Sequence, residues 1–421
     1  MSGFEVFSTN KDLDAIFEPR VAQDPSALEV PYYTTSDQNL SERYYPYFSG
    51  NKAIPTGYEC FDINGNLVDL SNLYRRLATW NSMGSGTGGV VNAIAVLDAS
   101  NVFVGGNFVN AGGAPRSFIA RWNANNSSWN SMGSGTSGNV SAIAVLDASN
   151  VFVGGSFTKA GDVSRNNIAR WNAIDSSWNS MGSGTNTTVN AIAVLNASNV
   201  FVGGGFIKAG DVSCNYIARW NAIDSSWNAM GSGTNTTVRA IAVLGASNVF
   251  VGGNFLNAGD NSRSYIARWN ANNSTWNSMG SGTSGVVRAI AVLNASNVFV
   301  GGSFTSAGGV TGRNYIARWN ANNSTWNSIG SGTSGTVFAI AVLDAANVFV
   351  GGNFVNAGDA SRNYIARWNA NNSTWNDMGS PTNGTNTTVN AIAVLDAANV
   401  FVGGQFTQAG GSARNNVAVW G

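Results

Sequence analysis

The string Val-Phe-Val-Gly-Gly occurs seven times, beginning at Val102, Val151, Val200, Val249, Val298, Val348 and Val400, at spacings of 49, 49, 49, 49, 50 and 52 residues. A unit this short cannot bury a hydrophobic face alone, so the chain must stack like units side by side. Each unit runs through four β-like segments. The first copy reads V-x-A-I-A-V-L at 91–97, N-V-F-V-G-G-x-F at 101–108, I-A-R-W-N at 119–123 and W-N-S-M-G at 129–133. All are rich in Val, Ile, Phe and Trp and are separated by D-A-S-N, A-G-G, N-A-N-N-S and G-S-G-T, which is strand and turn chemistry. The first two segments are nearly continuous apolar runs, as strands buried on both faces require. The last two place Arg or Asn beside each Trp, as partly wetted outer strands do.

Four strands per unit and seven units predict an all-β fold, a seven-bladed β-propeller of four-stranded blades. An open solenoid of the same units is the alternative. The phase of the repeat favours closure. An orphan fourth segment, ATWNSMG at 78–84, precedes the first unit, and the last unit stops after its third segment, NVAVWG at 416–421. The strand at 78–84 would complete the last blade and remove the exposed sheet edges. The Gly pair after each V-F-V marks a turn or a close backbone approach. The two Trp of a unit lie seven residues apart, as Trp122 and Trp129, and should meet across a hairpin and pack between blades.

Residues 1–77 have a different composition. They contain 11 acidic and 6 basic residues, all five Glu, five of the seven Pro and seven of the eleven Tyr. Residues 78–421 contain 16 basic and 11 acidic residues, 47 of the 51 Gly and every Trp. The zero net charge is thus a cancellation between an acidic head and a mildly basic ring. Residues 1–77, with few aliphatics, make a poor independent core, so an extended, irregular N-terminal arm is expected.

Composition also excludes chemistry. There is no His, so a Ser-His-Asp relay, a His-ligated metal or a His general base cannot form. Cys60 and Cys214 alone cannot build a disulfide framework or an all-Cys zinc site. No basic excess supports nucleic-acid binding. The N-terminus MSGFEVFSTNKDLDAIFEPR lacks the pattern of a secretory signal, and no stretch is long and apolar enough to span a membrane. Synthesis in the cytoplasm is expected, with no cofactor and no metal. No Glu follows residue 77, and Asp98, Asp147, Asp344 and Asp396 recur in turns, so no catalytic carboxyl pair stands out and no enzyme is expected. Asn-x-Ser/Thr sequons at Asn125, Asn186, Asn273, Asn323 and Asn372 read as turn chemistry rather than glycosylation.

The unit VFVGGNFVNAGDASRNYIARWNANNSTWNDMG at 348–379 resembles a kelch repeat, with its Gly-Gly doublet, aromatic residue and Trp. That resemblance covers residues 78–421 and implies a propeller. The family includes substrate adaptors, actin binders and copper oxidases, but the oxidase needs His ligands, and 77 residues leave no room for a BTB-like partner domain. In the head, DLDAIFEPR at 12–20, TGYECFDINGN at 56–66 and VDLSNLYRR at 68–76 are similar to segments of structural proteins of large DNA viruses. That likeness implies a virion component.

Most basic residues of the ring fall in two repeated columns, Arg121, Arg170, Arg219, Arg268, Arg318 and Arg367 before Trp, and Arg116, Arg165, Arg263, Arg313, Arg362 and Arg414 in the loop after the second strand. A charge present in nearly every blade reads as structural, capping carbonyls or stacking on Trp. Function should lie where the repeats disagree. The x of V-x-A-I-A-V-L reads Asn92, Ser141, Asn190, Arg239, Arg288, Phe338 and Asn390. Arg239, Arg288 and Phe338 on successive blades predict a polar or anionic binding spot at one rim of the channel, with Lys159 and Lys208 as a further candidate column on adjacent blades. Phe17, Tyr32, Tyr33, Tyr44, Tyr45, Tyr47, Tyr58 and Tyr74 make the head a candidate docking arm, since Tyr offers large contact area at low entropic cost. The expected function is a non-enzymatic structural component of a virus particle, docked to other assembly proteins by residues 1–77 and displaying the propeller to a host protein or glycan. An intracellular kelch-like scaffold and a lectin-type module are the alternatives.

Overall fold

The computed structural model describes residues 60–61, 67–68, 79–379 and 384–421. The chain divides into two units, Met1–Leu77 and Ala78–Gly421. In the first, Cys60–Phe61 pairs antiparallel with Leu67–Val68, a short regular ribbon in a segment whose sequence reads as irregular. The arm residues Phe17, Tyr32, Tyr33, Tyr44, Tyr45, Tyr47, Tyr58 and Tyr74 lie outside the described residues.

The second unit is a seven-bladed β-propeller built from seven four-stranded antiparallel sheets. Blade 1 runs outward through Val90–Asp98, Asn101–Asn107, Ile119–Asn123 and Ser128–Asn130. Blades 2 to 6 repeat that order, with inner strands Val140–Asp147, Val189–Asn196, Val238–Gly245, Val287–Asn294 and Val337–Asp344. Blade 7 is composite. Val389–Asp396, Asn399–Gly404 and Val417–Trp420 come from the C-terminus, and the outer strand is Trp80–Ser82 from the N-terminal side. Its register pairs Trp80 with Trp420 and Ser82 with Ala418. The ring is closed by the predicted strand, three residues long.

The hydrophobic core lies between blades rather than within them. A representative cluster joins Phe103, Ile119 and Met132 of blade 1 to Val140, Val151, Val153, Phe157 and Trp171 of blade 2. The equivalent cluster at the seam joins Met83, Phe401 and Val419 of blade 7 to Val91, Val104 and Trp122 of blade 1. The paired Trp do what their spacing predicts. Trp122 faces Trp129 across the outer hairpin, with ring centroids 5.3 Å apart at 58°. The outer Trp of each blade then reaches backward. Trp129 Nε1 donates to Met83 O at 2.8 Å, Trp178 to Met132 O at 2.9 Å and Trp227 to Met181 O at 3.0 Å, each in the preceding blade.

Both glycines of the doublet serve close approach. A side chain on Gly154 would strike Val189 of the next blade's inner strand, and one on Gly155 would strike the carbonyl of Asn139 in its own blade. Neither glycine has a positive φ, so the doublet is not a turn. The strand-to-strand loop after the doublet holds an element that the sequence reading did not include, a two-residue ribbon such as Lys159–Ala160 with Val163–Ser164. Its Ala160 also bridges Thr136, fixing the approach to the inner strand.

Candidate binding rim at the channel mouth

The doublet that lets blades approach also shapes the channel mouth. In every blade the ladder between the inner and second strands skips a residue near the start of the inner strand: Val140 faces Gly155, then Ala142 faces Gly154, with Ser141 left out. The same skip omits Asn92, Asn190, Arg239, Arg288, Phe338 and Asn390. All seven variable positions are therefore β-bulge residues, and a bulge re-aims its side chain away from the regular alternation. Here the bulges surround the mouth of a central cavity of about 200 Å³. Its wall is the Ala-Ile step of the inner strands, as at Ala240 and Ile241, and among the described residues its lining includes Asn92, Ser141, Arg239, Arg288, Phe338 and Asn390 but no Asp or Glu.

The mouth has two chemically different arcs. On one side the amides satisfy each other or the backbone. Asn390 Nδ2 donates to Asn92 Oδ1 at 3.4 Å and to Val91 O at 3.3 Å. Asn92 Nδ2 donates to Asn139 Oδ1 at 2.9 Å, and Asn139 Nδ2 to Ser141 Oγ at 2.9 Å. Asn190 Nδ2 donates to Val238 O at 3.2 Å. The other side holds two half-buried guanidinium groups. Arg239 Nε donates to Asn254 Oδ1. Arg288 Nε donates to Ser303 Oγ at 3.2 Å, and Ser303 Oγ lies 3.3 Å from Thr336 Oγ1. The Arg288 guanidinium carbon sits 5.4 Å from the centroid of the Phe338 ring, a cation–π distance. Burial, and then the neighbouring charge of Arg239, hold the Arg288 pKa below its ordinary value. Arg239, Arg288 and Phe338 are thus brought together as one arc.

Lys159 and Lys208 lie elsewhere. Both are exposed at the first position of the ribbons of blades 2 and 3, outside the second strand, and neither lines the central cavity. Lys208 borders a separate cavity of about 190 Å³ with Asn166, Ser183, Thr185 and Asn186. The lysines share the end of the ring on which the inner strands begin, because each ribbon follows the doublet that pairs with that beginning.

The repeated arginines serve the fold. Arg165 Nη2 donates to Trp178 O at 2.8 Å and Nη1 to Ala160 O at 3.4 Å, and Arg116 makes the same pair of bonds in blade 1. Arg170 Nη1 donates to Asn150 Oδ1 at 3.0 Å. Asp147 is engaged in its turn, accepting from Ser149 N at 2.8 Å and Asn150 Nδ2 at 2.9 Å, and Asp98, Asp344 and Asp396 repeat the arrangement. Among the described residues no group of three or more Cys, Asp or Glu is placed to hold a metal ion.

The same end carries an apolar component that the sequence reading did not single out. Among the described residues nine large apolar side chains are exposed, and six of them, Val109, Val163, Ile207, Leu256, Val310 and Val355, lie on or beside the ribbons. For four of the six the signal was the residue after the Phe that follows each doublet, which reads Val109, Thr158, Ile207, Leu256, Thr305, Val355 and Thr407, while Val163 and Val310 open the second arm of their ribbons.

Comparison with known proteins agrees on architecture. The sequence matches the Rax2 C-terminal beta propeller domain over residues 67–185, 180–294, 230–329 and 279–383. No curated protein matches. Among solved structures the fold is similar to the WD40 β-propeller domain of Doa1, with a TM-score of 0.54 at 12% identity over 82% of this chain and 97% of that one. It is similar to the WD40 repeats of RRP9, with a TM-score of 0.55 at 12% identity over 82% and 96%. It also resembles the extracellular domain of the putative one component system BT4673 from B. thetaiotaomicron, with a TM-score of 0.53 at 11% identity over 81% of this chain and 40% of that one.

Proposed function

The chain belongs to the family of Rax2 C-terminal β-propeller domains, and from that premise we propose that it works as a non-catalytic protein-interaction scaffold. The observation that carries the reading is the segregation, among the described residues, of six of the nine exposed large apolar side chains to the ribbon-bearing end of the ring. Scattered apolar residues need no explanation, but a set gathered at one end and rimmed by polar groups suits a partner surface. The opposite end has Ile174 and Ile223 in the outer turns of blades 2 and 3. The test uses the full chain cross-linked in its source extract. Ile207→Asp with Leu256→Asp should lose the partner that the native chain and an Ile174→Asp, Ile223→Asp variant both recover. Equal recovery by all three defeats the reading.

Residues 1–77 are the proposed docking arm of that scaffold, on the strength of their Tyr-rich, Pro-rich, acidic composition. Deleting residues 1–70 should leave a folded ring that no longer joins its assembly. Normal incorporation of the truncated chain rules this out. A narrower setting, a virus particle displaying the propeller to a host protein or glycan, rests on the likeness of the segments at 12–20 and 68–76 to viral structural proteins. Mass spectrometry of purified particles tests it, and absence of the chain from them rejects it.

A further inference from the structure

The seven bulge residues compare one site in seven copies. Four of them, Asn92, Ser141, Asn190 and Asn390, are engaged with one another through Asn139 or with backbone carbonyls. Arg239 and Arg288 are not satisfied in that way. Each uses Nε on the side chain that directly follows its own blade's second strand, Asn254 or Ser303, which leaves the Nη1/Nη2 edge of each guanidinium without a hydrogen bond among the described residues. Among the described residues no carboxylate lines the cavity, so there the two positive charges face one mouth without a counter-charge. That edge is the planar fork that binds two oxygens of one anion.

We propose that Arg239 and Arg288 form a site for a tetrahedral dianion, phosphate or sulfate in chemistry, received at the channel mouth beside Phe338. A dianion neutralises both guanidinium groups, whereas a single carboxylate leaves one charge uncompensated. The two forks also match the several oxygens of a tetrahedral anion. The supports are already in place: Asn254 and the Ser303–Thr336 pair hold the two Nε atoms, and the Phe338 ring flanks Arg288. Burial first, and then the like charge of Arg239, lower the pKa of Arg288. Cavity size limits the ligand. About 200 Å³ in a cavity open to the surface is below the roughly 300 Å³ at which sites for drug-sized molecules begin, so it suits a free phosphate or a phosphoryl group whose carrier stays outside the mouth. This site is independent of the apolar surface and of the scaffold reading.

The test is calorimetric titration of the full chain with inorganic phosphate, with a phosphoserine peptide and with acetate, at fixed ionic strength. The informative variant is Arg239→Asn with Arg288→Asn, because Asn is what the ring already holds at Asn92, Asn190 and Asn390, so folding is preserved and is checked by thermal melting. Saturable phosphate binding is expected, weakened about tenfold or more in that variant as charge-assisted bonds are lost. It should be unchanged in a Lys159→Ala, Lys208→Ala control. Tighter binding of the peptide than of free phosphate identifies a side-chain phosphoryl group as the source, and the reverse identifies the free ion. Absence of saturable phosphate binding, equal binding to the Asn variant, or acetate binding as tightly as phosphate overturns the proposal.

Discussion

The indole Nε1 of Trp80 donates to the carbonyl oxygen of Met378 at 2.7 Å, joining residues 298 apart in sequence. It is the same bond that Trp178 makes to Met132 and Trp276 makes to Met230 inside the ring, each at 2.9 Å. The seam of the propeller is therefore held by the ordinary joint between blades, with the N-terminal strand supplying the donor.

Trp80→Phe keeps most of the ring packing and removes the donor, leaving a buried carbonyl unpaired, at a cost of about 1–3 kcal/mol. The equivalent bond from Trp375 to Ile329 O is the longest of the series at 3.4 Å. Urea unfolding should show a larger loss for Trp80→Phe than for Trp375→Phe. Equal losses would mean that indole packing, and not the N–H, carries the effect.

Two glycines separate close approach from mere composition. A methyl group on Gly403 would strike Val91 across the seam, whereas one on Gly245 meets nothing within 4 Å. Gly403→Ala should destabilise the ring by about 1–3 kcal/mol, the usual cost of overpacking. Gly245→Ala should leave the unfolding midpoint within error of the native chain.

Cys214 stands where other blades have the loop Arg, and it is buried. Burial raises its pKa to about 11 from 9.0, with a backbone hydrogen bond at Ala209 offsetting part of the rise. The folded state therefore holds the thiol proton more tightly than the unfolded state. The resulting stabilisation is complete below about pH 9 and is lost as pH rises towards about 11. In a Cys60→Ser background, stability should fall more steeply across that window than in the same chain with Cys214→Ala. At neutral pH the thiol should react with an aromatic disulfide only as fast as the ring opens.

The architecture was legible because each blade repeats a strand recipe and because the orphan segment at 78–84 supplies the outer strand of the last blade. The pairing of Trp122 with Trp129 followed from their spacing on a tight hairpin. The bulge at Ser141 did not follow, because alternation alone cannot distinguish a skipped residue from a paired one. It is seen in the register, where Val140 pairs with Gly155 and Ala142 with Gly154. The Arg239–Arg288 arc was found by its departure from the repeat, but its free guanidinium edges depend on Asn254 and Ser303, which belong to a different column. Lys159 and Lys208 share the end of the ring with that arc but not its cavity, since the short ribbon that holds them leaves no hydrophobic period to read.

Ring closure through a split blade bears on how such a chain can change in copy number. Unequal recombination between nearly identical units removes or inserts one whole unit and leaves the outer strand Trp80–Ser82 and the third strand Val417–Trp420 in place. Those two strands then meet in the register that now pairs Trp80 with Trp420. The seam uses the same Trp-to-carbonyl joint that links the other blades, so nothing in the joint itself records how many blades it closes.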